Sequence, residues 1–94
     1  EFDPHRHYAY LRYTNDEILL IAVNFGTQSR DIAINIPQLA LDMMGVDSAA
    51  YEATELLSGA KASKYLHKAI PFTTSVDAKG AVIWKIKNPK KNIQ

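Results

Sequence analysis

Cysteine is absent from the 94 residues, which excludes disulfides and thiolate chemistry and leaves the redox compartment open. Long apolar runs are missing as well. The longest, Ile18 to Val23, is far short of the roughly 18 residues of a spanning helix and reads as a strand, not an anchor. Glycines and prolines number four each, and Gly26, Gly45, Gly59 and Gly80 are scattered one per turn, so no phosphate-cradling loop is present. A charge excess is lacking: the net charge is +1 and the pI about 8.3, whereas a general nucleic-acid binder carries a pI above about 9 and a clustered basic face. Glu1-Phe2-Asp3-Pro4 puts acids where a secretory leader has a basic region. Methionine occurs only at 43 and 44, and a strand pattern starts within a few residues of Glu1, so the chain is expected to be a piece excised from something longer. No compartment is assigned.

What is present suits one small globular domain. Hydrophobic residues make up 47% and charged residues 22%, a balance that supports a core. A domain of this size buries roughly 60 to 65% of its unfolded surface, and a deep enclosed pocket would remove much of that core. A self-contained enzyme is therefore disfavoured.

Periodicity predicts strands. Residues 6–13 are aromatic-rich with a period of two and lead into the turn Thr14-Asn15-Asp16. Residues 17–25 are nearly apolar on both faces, which predicts a central strand covered on two sides with Ile21 deep inside. Turn formers at 24–29 precede a strict alternation of Ile32, Ile34 and Ile36 with Asp31, Ala33 and Asn35, read as the second arm of a hairpin with one wet face. Pro37 starts a helical turn over residues 38–44 that Gly45 closes. Residues 51–57 form a strand stopped by Ser58-Gly59, residues 61–68 are polar loop, and residues 69–76 hold a strand interrupted by Pro71. After the turn 77–80, residues 81–87 are the last strand, with Val82, Trp84 and Ile86 on one face. Domain boundaries follow: a β-domain over 1–87 and a polar tail over 88–94. The fold class is all-β, an antiparallel β-sandwich of about 6 to 8 short strands with one short helical turn.

Chemistry-bearing constellations are few. Asp3-x-His5-x-His7 could present three ligands on one strand face but has no fourth partner nearby, since His67 is sixty residues on; no metal or cofactor is assigned. Glycoside hydrolysis needs two carboxylates about 5 to 10 Å apart. Asp16-Glu17 sit at a turn and are expected to be solvated, and Glu52 and Glu55, three apart on a strand, point to opposite faces. Ser58 lacks the glycine two residues before it that a nucleophile elbow requires. No catalytic residue is assigned. Aromatic faces can stack on sugars, and Trp84, Tyr8 and Tyr10 are the candidates, although Trp84 alternates with Val82 and Ile86 and is expected to close the core. Charge divides unevenly: residues 1–60 carry three Arg against nine acids, and residues 61–94 eight Lys against one Asp. That asymmetry marks a binding face or is neutralised across neighbouring strands.

Five segments in order carry a resemblance: Phe2-Asp3-x-x-Arg6-x-Tyr8-Ala9-Tyr10-Leu11-Arg12; Ile18 through Val23 with Asn24-Phe25; Ile34-x-Ile36-Pro37; Ala53-Thr54-Glu55-Leu56-Leu57-Ser58-Gly59; and Gly80-Ala81-Val82-Ile83. Together they resemble the C-terminal β-domain of α-amylase-family enzymes, glycoside hydrolase family 13, over almost the whole chain. His7 departs from that pattern, where relatives often carry glutamine. The resemblance implies a non-catalytic domain that packs on and stabilises a (β/α)₈ barrel acting on α-glucan, with the catalytic acids on the barrel and none in this chain. The rival expectations are a starch- or glycogen-binding module with an aromatic platform, and an immunoglobulin-like interaction domain. Neither nucleic acid nor membrane is an expected partner.

Overall fold

Alternating side chains lay the chain down as strands with one dry face, and two such faces close on each other. The computed structural model describes residues 7–89. In chain order these form β1 (His7–Tyr13), β2 (Glu17–Asn24), β3 (Arg30–Ile34), α1 (Gln38–Met44), β4 (Ala49–Glu55), β5 (Lys61–Leu66), β6 (Phe72–Val76) and β7 (Ala81–Lys87). Five strands make one sheet in the order β1-β2-β7-β4-β5, and β3 pairs with β6 in the other. Every pairing is antiparallel, so the expected all-β sandwich with one short helix is the fold.

The core lies between the sheets. Ile18, Leu20 and Ala22 of β2, Trp84 and Ile86 of β7, Ala53 of β4 and Leu66 of β5 meet Ile32, Ile34, Phe72 and Val76 from the smaller sheet. Ala40, Leu41 and Met44 of α1 join the same cluster. The helix starts after Pro37, whose extended backbone stands outside it, and ends where Gly45 takes the left-handed conformation (φ 68°, ψ 34°). There the Gly45 and Val46 N–H groups return to the carbonyls of Asp42 and Leu41, satisfying the last turn.

Four expectations are corrected. First, β2 is not covered on two sides: Ile18, Leu20, Ala22 and Asn24 are buried, but Leu19, Ile21 and Val23 are half-buried on the outer face. The smaller sheet packs against only one side of β2, so equal apolarity on its two faces does not mean equal burial. Second, β2 and β3 are not a hairpin, because β3 leaves for the other sheet and pairs with β6. Third, residues 61–66 are a strand, not a loop. As an edge strand β5 needs little apolar content, and Lys64 occupies an inward position by laying its ammonium over the rings of Trp84 (4.8 Å) and Phe72 (5.4 Å). Fourth, Asn88 is not tail. It is buried, its amide donates to the carbonyls of Asn15 and Met44 at 2.8 Å each, and its N–H donates to Asp16. The remaining tail positions assigned from 90 onward lie outside the described residues.

One side chain ties together two of the four places where the chain changes sheets, after β2 and after β6. The buried Asn24 amide nitrogen donates to the carbonyls of Gln28 (2.8 Å), Val76 (3.1 Å) and Asp77 (3.3 Å), and its oxygen accepts the Gly26 N–H (2.9 Å). Main-chain bonds from Asn24 to Gly80 and from Lys79 to Gly26 complete the corner.

Three outcomes follow from this packing. Leu20→Asp puts an unpaired charge in the core, costs several kcal/mol of a total near 5 to 10, and should leave the chain unfolded by circular dichroism. Ile21→Asp, on the outer face, should leave it folded. Asn24→Asp turns a carboxylate toward three carbonyls and should cost at least about 3 kcal/mol at pH 7 in urea melts. Those carbonyls raise the new carboxyl's folded-state pKa, so its deficit against the parent chain should shrink as the pH falls; a pH-independent deficit would contradict the corner geometry.

Candidate docking face

Because side chains alternate along each strand, register decides which residues share the outer face of the five-stranded sheet. Tyr8 of β1 lies opposite Val23 of β2, which lies opposite Ala81 of β7. In the next row Tyr10, Ile21 and Ile83 are in line, and Leu56 extends it by donating its N–H to the Ile83 carbonyl at 2.8 Å. Then comes a change of character. Arg12, Leu19, Lys85, Thr54 and Lys61 form the third row, and Glu17 faces Lys87 in the fourth.

The face is thus apolar at one end and cationic along its margin. Tyr8 and Tyr10 are 55% and 54% exposed, and Phe25, on the loop after β2, meets the Tyr8 ring edge-on with centroids 5.5 Å apart. With rows about 6.8 Å apart on strands about 4.8 Å apart, the apolar rows cover on the order of a few hundred Å². Exposed apolar surface of that extent marks interaction sites on small proteins. Glu17 and Lys85 form an ion pair at 3.4 Å across β2 and β7, so part of the charge asymmetry is neutralised between neighbouring strands. Two open depressions, about 430 and 420 Å³, flank the face; Arg12, Glu17 and Leu19 line the first, and Thr54, Lys61, Lys85 and Lys87 the second.

The residues singled out in the sequence scatter. Tyr8 and Tyr10 stand side by side on this face, whereas Trp84 is 8% exposed in the core. Its indole N–H donates to the Thr74 hydroxyl at 3.0 Å, and Phe72 packs edge-on at 6.5 Å, so neither ring face is open to a sugar. Of the Asp3-x-His5-x-His7 set, Asp3 and His5 lie outside the described residues, and His7 Nδ1 is 3.3 Å from the Arg30 guanidinium. His67 Nδ1 accepts the Ala69 N–H at 2.9 Å and its ring stacks on Tyr65. Among the described residues no three His, Cys, Asp or Glu side chains come together as metal ligands, and no helix is long and apolar enough to cross a membrane.

Glu52 and Glu55 do take opposite faces, and their environments differ accordingly. Glu52 is exposed, while Glu55 is buried with its oxygens accepting the N–H groups of Ser58 (2.8 Å) and Ile83 (2.7 Å). Burial pushes the Glu55 pKa up, but the bonds from Ile83, Ser58 and Leu57 outweigh it, and the net direction is down. Its role is to tie the turn after β4 to β7. Leu19, Ile21 and Val23 read as core in the sequence; the signal that marks their face as outward is the neighbouring β7 face, on which Ile83 alternates with Lys85 and Lys87 opposite Val82, Trp84 and Ile86. No protein-family profile, curated protein or solved structure matches this chain.

Glu55 gives the fold an acid limit. A folded-state pKa below the unfolded value of about 4.3 contributes stability that is complete above pH 5 and is lost as the pH falls through the folded value. Glu55→Gln keeps one acceptor but turns an N–H₂ group toward a backbone N–H, and should lose about 1.5 to 3 kcal/mol at pH 7. Its stability should also fall less between pH 5 and pH 3 than the parent's, as read by urea melts across that range.

Proposed function

We propose that this domain is the non-catalytic β-sandwich of an α-glucan-active glycoside hydrolase or transglycosidase, and that it packs on and stabilises the catalytic (β/α)₈ barrel. The enzyme class rests on the ordered segments from Phe2 to Ile83 that resemble the C-terminal β-domain of the α-amylase family. The observation that carries the packing role is the outer face itself. Tyr8, Tyr10, Ile21, Val23, Ile83 and Leu56 form an apolar surface that the chain's own second sheet leaves uncovered. An apolar centre with a basic margin at Arg12, Lys61 and Lys87 suits a partner surface of apolar and acidic side chains, which the outer helices of a barrel can supply. The domain then acts as a wall: it withdraws barrel surface from water and makes no bond to the reacting sugar.

A second reading is favoured by one feature, the adjacent exposed rings of Tyr8 and Tyr10, which could stack on successive glucose units of starch or glycogen. The two readings separate experimentally. The reading frame carrying this chain is expected to encode a barrel with the family's two aspartates and one glutamate, and a frame without one overturns the proposal. In that full-length enzyme, Ile21→Lys combined with Ile83→Lys should lower the barrel's unfolding midpoint by several degrees while the 94-residue chain alone keeps its own. For the binding reading, maltoheptaose titrated to about 10 mM should shift the Tyr8 and Tyr10 ring resonances; silent rings rule out even a millimolar site.

A further inference from the structure

Four strand edges are open in this sandwich, and three carry protection. The edge strand β5 bears Lys61 and the inward-pointing Lys64; β3 has five residues including Arg30 and Asp31; and β6, also five residues, follows directly on Pro71. The fourth edge differs. Strand β1 runs seven residues in unbroken register with β2, from His7 opposite Asn24 to Tyr13 opposite Ile18, with no proline, glycine, lysine or bulge, and Arg12 is its one formal charge.

The pleat decides which backbone groups that edge offers. Thr14 donates its N–H to the Glu17 carbonyl at 3.0 Å, so by alternation Arg12, Tyr10 and Tyr8 also turn their amides toward β2. The N–H and C=O groups of His7, Ala9, Leu11 and Tyr13 point the other way, and among the described residues none has a hydrogen-bond partner. Ala9, Leu11 and Tyr13 turn inward and are half-buried against the core.

We infer that β1 is a self-association edge whose occupant is the β1 strand of a second copy of this chain, paired antiparallel about a two-fold axis through Tyr10. The register that uses all four outward residues sets Ala9 against Leu11 of the other copy and His7 against Tyr13, each as a hydrogen-bonded pair. Tyr10 then meets Tyr10, and Tyr8 meets Arg12, at the non-hydrogen-bonded positions where side chains come closest. The pairing is complementary in charge: each Arg12 guanidinium lies over a Tyr8 ring, and no like charges face each other. It joins two five-stranded sheets into one of ten strands, isologous as a two-fold contact must be. This contact uses the strand's edge rather than the outer face, so it stands apart from the function proposed above. The seam is only seven residues long, about 24 Å, which places the dimer among weak interfaces.

Sedimentation velocity on the 94-residue chain should show dimer rising between about 10 μM and 1 mM. Amide exchange should identify the seam: Tyr10 and Arg12 protected at every concentration, Ala9 and Leu11 protected only when concentrated. Ala9→Pro removes one outward N–H and leaves the ladder to β2 intact, as proline is tolerated where an edge N–H faces solvent, and it should give a folded monomer. Tyr10→Glu, which sets two carboxylates face to face, should also give a monomer, while Tyr10→Phe keeps the dimer. A chain that stays monomeric at 1 mM overturns the inference. So does a dimer whose Ala9 and Leu11 amides exchange as in the monomer, or one that survives Tyr10→Glu, since either outcome places the contact on another surface.

Discussion

The sandwich depends on one buried amide. A chain that crosses four times between two sheets must turn at each crossing, and each turn strips backbone carbonyls of their ladder partners. Asn24 meets that cost at two of them with a single side chain. Its nitrogen gathers carbonyls from the loop after β2 and from the end of β6, and its oxygen holds the Gly26 N–H. Aspartate could not donate, and leucine could neither donate nor accept. An amide is the only small group with two donors and an acceptor at this spacing. The crossings after β2 and after β6 are therefore held together as one corner rather than as separate turns, and β3 and β6 lie side by side.

Unequal sheets follow from that corner, and surface chemistry follows from unequal sheets. Two strands cannot cover five, so α1 contributes Ala40, Leu41 and Met44 to the interior, and Lys64 lays its cation over Trp84 and Phe72 where the smaller sheet ends. On the opposite side none of the described residues covers β2 and β7. Leu19, Ile21, Val23 and Ile83 are left half-buried, supported by their neighbours in the sheet but not by a second layer. The apolar content of β2 thus serves the core on one face and an external contact on the other.

Much of this was legible in the sequence, and the misreadings share a cause. Strand positions, the helix over residues 38–44 and its glycine stop, the inward Trp84 and the opposed faces of Glu52 and Glu55 all rest on local periodicity or backbone chemistry, which the chain carries within a few residues. The β2–β3 hairpin, the two-sided cover of β2 and the loop at 61–66 rest on which strands become neighbours, and that is settled by contacts fifty residues apart, such as Asn24 with Val76. Lys64 shows the limit most plainly. A segment with lysines at 61, 64 and 68 reads as solvated loop until Trp84 and Phe72 are known to lie beneath Lys64. The docking face was invisible for the same reason, since Ile21 inside a sheet and Ile21 beneath a second layer have identical sequence neighbours.

The two exposed features of β1 also constrain each other. Tyr8 and Tyr10 project from the outer face, whereas the free amides of Ala9 and Leu11 lie in the plane of the sheet, about a right angle away. A partner resting on the face need not cover the edge, and a strand added at the edge widens the face by continuing its rows. Widening matters for a surface this small. Two copies joined at β1 would bring their Tyr10 rows into line across the two-fold axis, with Ile21 and Ile83 on each side, while each Tyr8 row would run into the Arg12 row of the other copy. The edge that other sandwiches guard with lysine or proline is here left open next to the aromatic rows, and Arg12, its one charge, is placed where pairing would turn it toward a ring rather than toward another cation.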